Sequence, residues 1–248
     1  MLFPIGAFNR QESCDFEIAI FCGILDCSFL HTTYMNIFHK AKHWQIFLFI
    51  FGLPFLAYML MLGSIISSIS AATVNGVEPD PAEIMQMMVG IFNFMPILAL
   101  VVTLVLYGWY WSIGMGLQYK LPAHVKIGSG LFKVALIIPL VSMMALMYVM
   151  RDMMTTVAEF SQNPDGGADP AAFLGPFVII VPLQLVSMFF VFYSFYFIAK
   201  VFKTVELQRE VSFPDFAAEF FLIWFSFIGV WILQPKINKM TGESSFNE

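Results

Sequence analysis

The chain has 248 residues, of which 59% are hydrophobic and only 12% charged, with a mean hydropathy of +0.80. A soluble domain carries about 25% charged residues, so the polar side chains are too few to cover a water-facing surface. The composition argues against a soluble enzyme and for a membrane protein, and a formal charge of −5 leaves no basic footprint for nucleic acid.

Residues 1–34 differ from the rest. They hold all three cysteines, Cys14, Cys22 and Cys27, and their best apolar stretch, 18–25, ends at Asp26. The basic start, long apolar centre and small-residue cleavage site of a signal peptide are missing. Met35 instead opens MNIFHKAKHWQIFLFIFGLPF, a short basic lead into an apolar run. The expectation is that translation begins at Met35 and that 1–34 is an extension. His39 and His43, with Cys27 and His31, make a zinc list on paper. Their interleaving with Lys40 and Lys42 reads better as a basic interfacial collar.

No Asp, Glu, Lys or Arg occurs in 43–76, 84–119, 134–150 or 170–199. A helix needs about 20 apolar residues to cross a hydrocarbon core of about 30 Å. Helices can do so because they satisfy their own backbone polar groups. The expected spans are 45–67, 89–113, 130–150 and 172–199, with Lys133 snorkelling to the interface. The connecting loops carry eight basic residues on one side (Lys40, Lys42, Lys120, Lys126, Lys133, Lys200, Lys203 and Arg209) against Arg151 on the other. The positive-inside rule then makes loops 118–130 and 200–215 cytoplasmic and loops 69–88 and 151–171 extracytoplasmic. Trp44, Tyr107, Trp109, Trp111 and Tyr119 fall near span ends, as interfacial anchors do.

A fifth apolar segment, 216–233, contains Glu219 and precedes Lys236 and Lys239. It is re-entrant, interfacial or spanning; the charge bias favours keeping both lysines cytoplasmic. VELQREV (205–211) reads as a continuation of the fourth helix, stopped by Pro214, with Asp215 able to cap the next segment.

Landmarks recur along the chain. DPA at 80–82, Pro96 and YGWYW at 107–111 are matched by DPA at 169–171, Pro182 and YSFYF at 193–197. The proline and tyrosine landmarks are offset by 86 residues and DPA by 89, while Pro54 pairs with Pro139 at 85. The expected architecture is an all-α integral membrane protein of two parallel-repeated hairpins, 35–122 and 123–203. A region 204–248 comes after them, with a cytoplasmic helix extension, the fifth segment and a polar tail. Chance similarity between Phe- and Tyr-rich helices is the competing reading. Each of the four helices carries an internal proline, which usually kinks a helix.

Ionisable residues inside the bilayer are the default functional signal in a membrane protein, and the sequence offers none near the middle of the four expected helices. Asn93 and Gln184 are the main polar side chains at depth, either as substrate-path contacts or as interhelical glue. Met143, Met147, Met150 and Met154 share a helical face, and Met85, Met87 and Met88 lie at the end of the second helix. Thioethers bind Cu(I), but methionine is also an apolar filler. Asn163, Asp165 and Asp169 lack the spacing of a calcium loop and read as turn residues. No GxSxG, HExxH, P-loop or GxGxxG is present, so neither a catalytic role nor a cofactor is expected.

The stretch 200–239, KVFKTVELQREVSFPDFAAEFFLIWFSFIGVWILQPKINK, resembles the C-terminal signature of an uncharacterised family of bacterial multi-pass inner-membrane proteins. The resemblance rests chiefly on 206–211, 219–224 and 229–238. It implies a bacterial inner membrane and brings no activity or ligand. The functional expectation is a non-enzymatic membrane scaffold or accessory subunit. It would meet the lipid bilayer and another membrane or cytoplasmic protein, docking through Glu206, Arg209 and Glu210. The alternative is a small-molecule or metal-ion transporter built on the kinked helices, Asn93, Gln184 and the methionine face.

Overall fold

The structure is a computed structural model that describes residues 37–38, 40–74, 81–162 and 170–242. The described residues are almost entirely helical and contain no strand. Helix α1 is a composite of His43–Phe47, a π-helical turn Leu48–Gly52 and Leu53–Val74; α2 is Pro81–Gly114, α3 Gly130–Gln162 and α4 Pro170–Leu207. Two shorter helices complete the order, α5 (Phe213–Trp224) and α6 (Ser226–Thr241). Four stretches, His43–Ala71, Asn93–Lys120, Gly130–Phe160 and Leu174–Leu207, are long and apolar enough to cross a membrane. The extension 1–34, the cysteines, His39 and the loop residues Asn163, Asp165 and Asp169 lie outside the described residues, as do the side chains of Met85, Met87 and Met88.

The helices outrun the uncharged stretches. Helix α3 continues past Arg151, Asp152 and Glu159, and α4 past Lys200, Lys203 and Glu206. Charge marks where hydrocarbon ends, whereas a helix stops only when its backbone is turned or capped. Helix α4 stops at Gln208, whose φ of 52° is left-handed and whose side chain donates to the carbonyls of Val205 and Lys120. The continuation expected over 205–211 therefore ends three residues in. The new helix is capped by Ser212, with Pro214 in its first turn, where a missing N–H costs nothing.

The prolines sit inside continuous helices. Pro54 comes just after the π-helical turn, in which Leu53 N–H reaches back five residues to Leu48 O; such a turn relieves a ladder interrupted by proline. Pro139 deprives the Ala135 carbonyl of its helical donor, and Ser194 Oγ on α4 supplies one at 3.4 Å.

Helices α2, α3 and α4 pack closely, with α3–α4 the broadest contact. Helix α1 meets α2 mainly around its π-turn, and beyond it the two helices leave an apolar cleft of ≈ 670 Å³ walled by Leu56, Leu60, Phe94 and Leu98. The two expected hairpins thus differ: the second is fastened by contacts between 132–142 of α3 and 184–197 of α4, and the first is splayed. On α1, Ser64, Ser67, Ser68 and Thr73 satisfy their hydroxyls on their own helix's carbonyls.

The core sits at the end of the bundle where the basic loops gather. Trp109, Phe132, Phe202 and Phe216 are fully buried there, and Phe132 stacks on Phe197 at 4.4 Å. Helices α5 and α6 bend by 120° at Phe225. The pair returns to the end it came from: Lys236 meets Glu206 at 3.0 Å, and Lys120 donates to the Met240 carbonyl. Gly229 makes the turn possible, because a Cβ there would lie 1.9 Å from the Leu222 carbonyl oxygen.

Candidate functional site

The polar groups of the basic end form two connected centres. In the first, Lys203 of α4 donates to Glu206 at 2.7 Å and to Glu219 of α5 at 2.8 Å, and Lys236 of α6 completes the chain on Glu206. One helical turn separates Lys203 from Glu206, which puts both on the face that receives the returning pair. Glu219 is 5% exposed, and its second oxygen, Oε2, has no hydrogen-bond partner. A carboxylate this deep is held by one ammonium.

The second centre is Gln234, 1% exposed on α6. Its Oε1 accepts from Trp109 Nε1 at 2.8 Å, and its Nε2 donates to Phe38 O at 2.7 Å, Ala41 O at 3.1 Å and Asn238 Oδ1 at 2.9 Å. One amide thereby ties together α2, α6 and the backbone ahead of α1. Trp109 is 0% exposed, so it is an internal strut and not the interfacial anchor expected of it. Its terminal position on the span conceals a partner 125 residues away. Trp44 and Tyr119 are exposed.

The expected path residues are joined across helices. Asn93 on α2 accepts from Arg151 Nε on α3 at 2.7 Å. Gln184 on α4 donates to Ser142 O on α3 at 3.1 Å, beside a buried Ser142–Ser187 hydroxyl pair at 2.8 Å. The two amides thus belong to separate helix interfaces. Met143 accepts from Thr103 Oγ1 at 3.2 Å across α2–α3. Met147, Met150 and Met154 continue along the same stretch of α3, all partly buried. No group of three or more His, Cys, Asp or Glu suited to a metal occurs among the described residues. His43 packs its ring on Trp231 at 4.5 Å.

Of the expected docking residues, Glu206 is engaged within the first centre. Arg209 is exposed and pairs with Asp215 at 2.8 Å, and Glu210 is exposed. The Asp215 carboxylate accepts from Ser212 N–H and Oγ. That backbone bond first, with Arg209 beside it, holds the carboxyl down to about 2. The turn between α4 and α5 is therefore held in shape, with Arg209, Glu210 and Ser212 exposed and Val211 buried. Two signals for the first centre can be read in the sequence: the spacing of three between Lys203 and Glu206, and the charge of Glu219 inside an apolar segment. Gln234 carries none. No protein family's sequence profile, curated protein or solved structure matches the chain.

Proposed function

We propose that the chain is a non-enzymatic membrane scaffold or accessory subunit of a bacterial inner membrane. Helices α1 to α4 cross the bilayer, and loops 118–130 and 200–215 face the cytoplasm. The carrying observation is that the main polar groups of the helices are bonded to one another across helices, in mid-span as at the two ends: Gln184 to Ser142, Asn93 to Arg151, Gln234 to Trp109 and Lys203 to Glu219. Such bonds hold a bundle in one arrangement. A transport path needs polar groups free to meet a solute. The rigid basic end presents the loop carrying Arg209 and Glu210 to a partner.

Reconstitution tests the reading. Purified protein in sealed liposomes passes no small solute or metal ion, and the variant carrying Asn93→Leu and Gln184→Leu is equally silent. Flux by the wild type that this double variant abolishes would establish the transporter instead. In mild detergent, Arg209→Ala with Glu210→Ala releases a partner that wild-type protein retains in fixed stoichiometry.

A further inference from the structure

The returning pair α5–α6 has three properties that together name what it meets. Its ends lie together at the basic end. Its turn lies at mid-bundle: Trp224 meets Phe192, close to the middle of α4, at 5.0 Å, and Phe227 meets Phe51 of α1 at 6.3 Å. Its twelve-residue first helix spans about 18 Å at 1.5 Å per residue, against a hydrocarbon core of about 30 Å. The outer faces are exposed and mostly aromatic, at Phe221, Trp224, Phe225, Phe227 and Trp231, with Ile228 among them. A helix of that length is too short to cross the core, so those faces lie on the side of the bundle from which the pair enters.

The base of the pair is strongly cationic. Of the eleven lysines and arginines among the described residues, all but Arg151 belong to this end. The acids among the described residues there are Glu206, Glu210, Asp215 and Glu219. Three of those four are already held by Lys203, Lys236 or Arg209. A positive collar around an aromatic wedge complements a negatively charged headgroup layer, which attracts juxtamembrane lysines and arginines.

We propose that α5–α6 is a one-leaflet wedge: it enters only the leaflet on the basic side of the bundle and gathers anionic phospholipid around its base. This rests on the proposal that α1 to α4 span the bilayer. The wedge adds protein volume to one leaflet and none to the other, so its lipid partner is an anionic leaflet rather than a whole bilayer.

Two measurements test it on the full chain. In a background with Cys14, Cys22 and Cys27 replaced by serine, single cysteines are placed by Lys126→Cys, Glu159→Cys and Lys239→Cys. An impermeant maleimide then probes sealed proteoliposomes. Positions 126 and 159 label from opposite sides, and 239 labels with 126. Labelling of 239 together with 159 would mean that the pair spans and would overturn the wedge. Labelling of 126 together with 159 would overturn the four-span reading itself.

The second measurement reads lipid choice by tryptophan quenching. At equal mole fraction and low salt, brominated phosphatidylglycerol quenches more strongly than brominated phosphatidylcholine. The excess falls on the order of fivefold for each lysine removed near the surface, through Lys126→Gln, Lys200→Gln and Lys239→Gln. It also collapses in 1 M salt, where charges are screened within about 3 Å. Equal quenching by the two lipids would overturn the anionic preference.

Discussion

At the residue scale the informative side chains are those that are buried and bonded at long range. Gln234 satisfies Trp109 Nε1 and two backbone carbonyls with one amide. Gln234→Leu leaves the indole N–H without a partner in a closed site, at a cost of about 2 kcal/mol. Trp109→Phe removes that donor, so the double variant is less destabilised than the sum of the two single changes. A double-mutant cycle by denaturant unfolding in detergent measures the coupling, and simple additivity would show that the bond is energetically silent. The ion centre behaves differently. Lys203→Met strands Glu219 as a buried anion and costs about 3–5 kcal/mol. Adding Glu219→Leu removes the stranded charge and recovers much of the loss, as the same unfolding measurement reports.

These residues mark the limit of what the sequence discloses. The charge of Glu219 inside an apolar segment is legible, and so is its oddity; its answer in Lys203 is not. A window along the chain registers hydropathy and helical spacing, but a partner 125 residues away enters neither. Asn93 and Gln184 are legible as polar side chains because the runs around them are uncharged. The donor and acceptor they meet, Arg151 and Ser142 O, depend on helix azimuth. Trp109 departs from its expected role for the same reason: position along a span says where a tryptophan lies and not which way it faces.

At the element scale, the four long helices derive from the uncharged runs, because in hydrocarbon the backbone has no alternative. Their ends do not, since capping by Gln208 or Ser212 is a local backbone event. The break of 216–233 at Phe225 is equally hidden, and its cause is three-dimensional: the turn closes over Gly229. Gly229→Ala would drive a Cβ to within 1.9 Å of a backbone oxygen that has no rotamer to escape into. The expected cost is about 3 kcal/mol or more, with α6 displaced and the Lys236–Glu206 ion pair broken. Gly63→Ala and Gly90→Ala are the controls. Both lie in helices with nothing within 4 Å of the added methyl, and alanine favours a helix by about 1 kcal/mol over glycine. Melting temperatures of the three variants should separate Gly229→Ala from the other two; equal melting would show that the turn tolerates a side chain.

At the scale of the whole molecule, packing is uneven between the two ends. The basic end joins α2 to α6 through Gln234, α4 to α6 through the Glu206–Lys236 pair and α3 to α4 through stacked aromatic rings. Toward the other end, α3 and α4 stay fastened by Ser142, Ser187 and Gln184, while α1 stands off from α2 across the ≈ 670 Å³ cleft. Helix α1 is therefore a rod fixed near its π-turn and loosely packed beyond it. A small angular excursion at the turn becomes a displacement of several ångströms at Val74, about 33 Å along a helix rising 1.5 Å per residue from Gly52. Low local contact density is the structural mark of regions that open at little free-energy cost. Spin labels attached through Ser67→Cys on α1 and Phe94→Cys on α2 should give a broad distance distribution in lipid nanodiscs. Labels through Ile137→Cys on α3 and Phe189→Cys on α4, both exposed, should give a narrow one. Restoring the helical donor with Pro54→Ala removes the reason for the π-turn, so α1 should straighten and the first distribution should shift. Equal widths for the two label pairs would mean that α1 is held along its whole length, as the repeated-hairpin expectation requires.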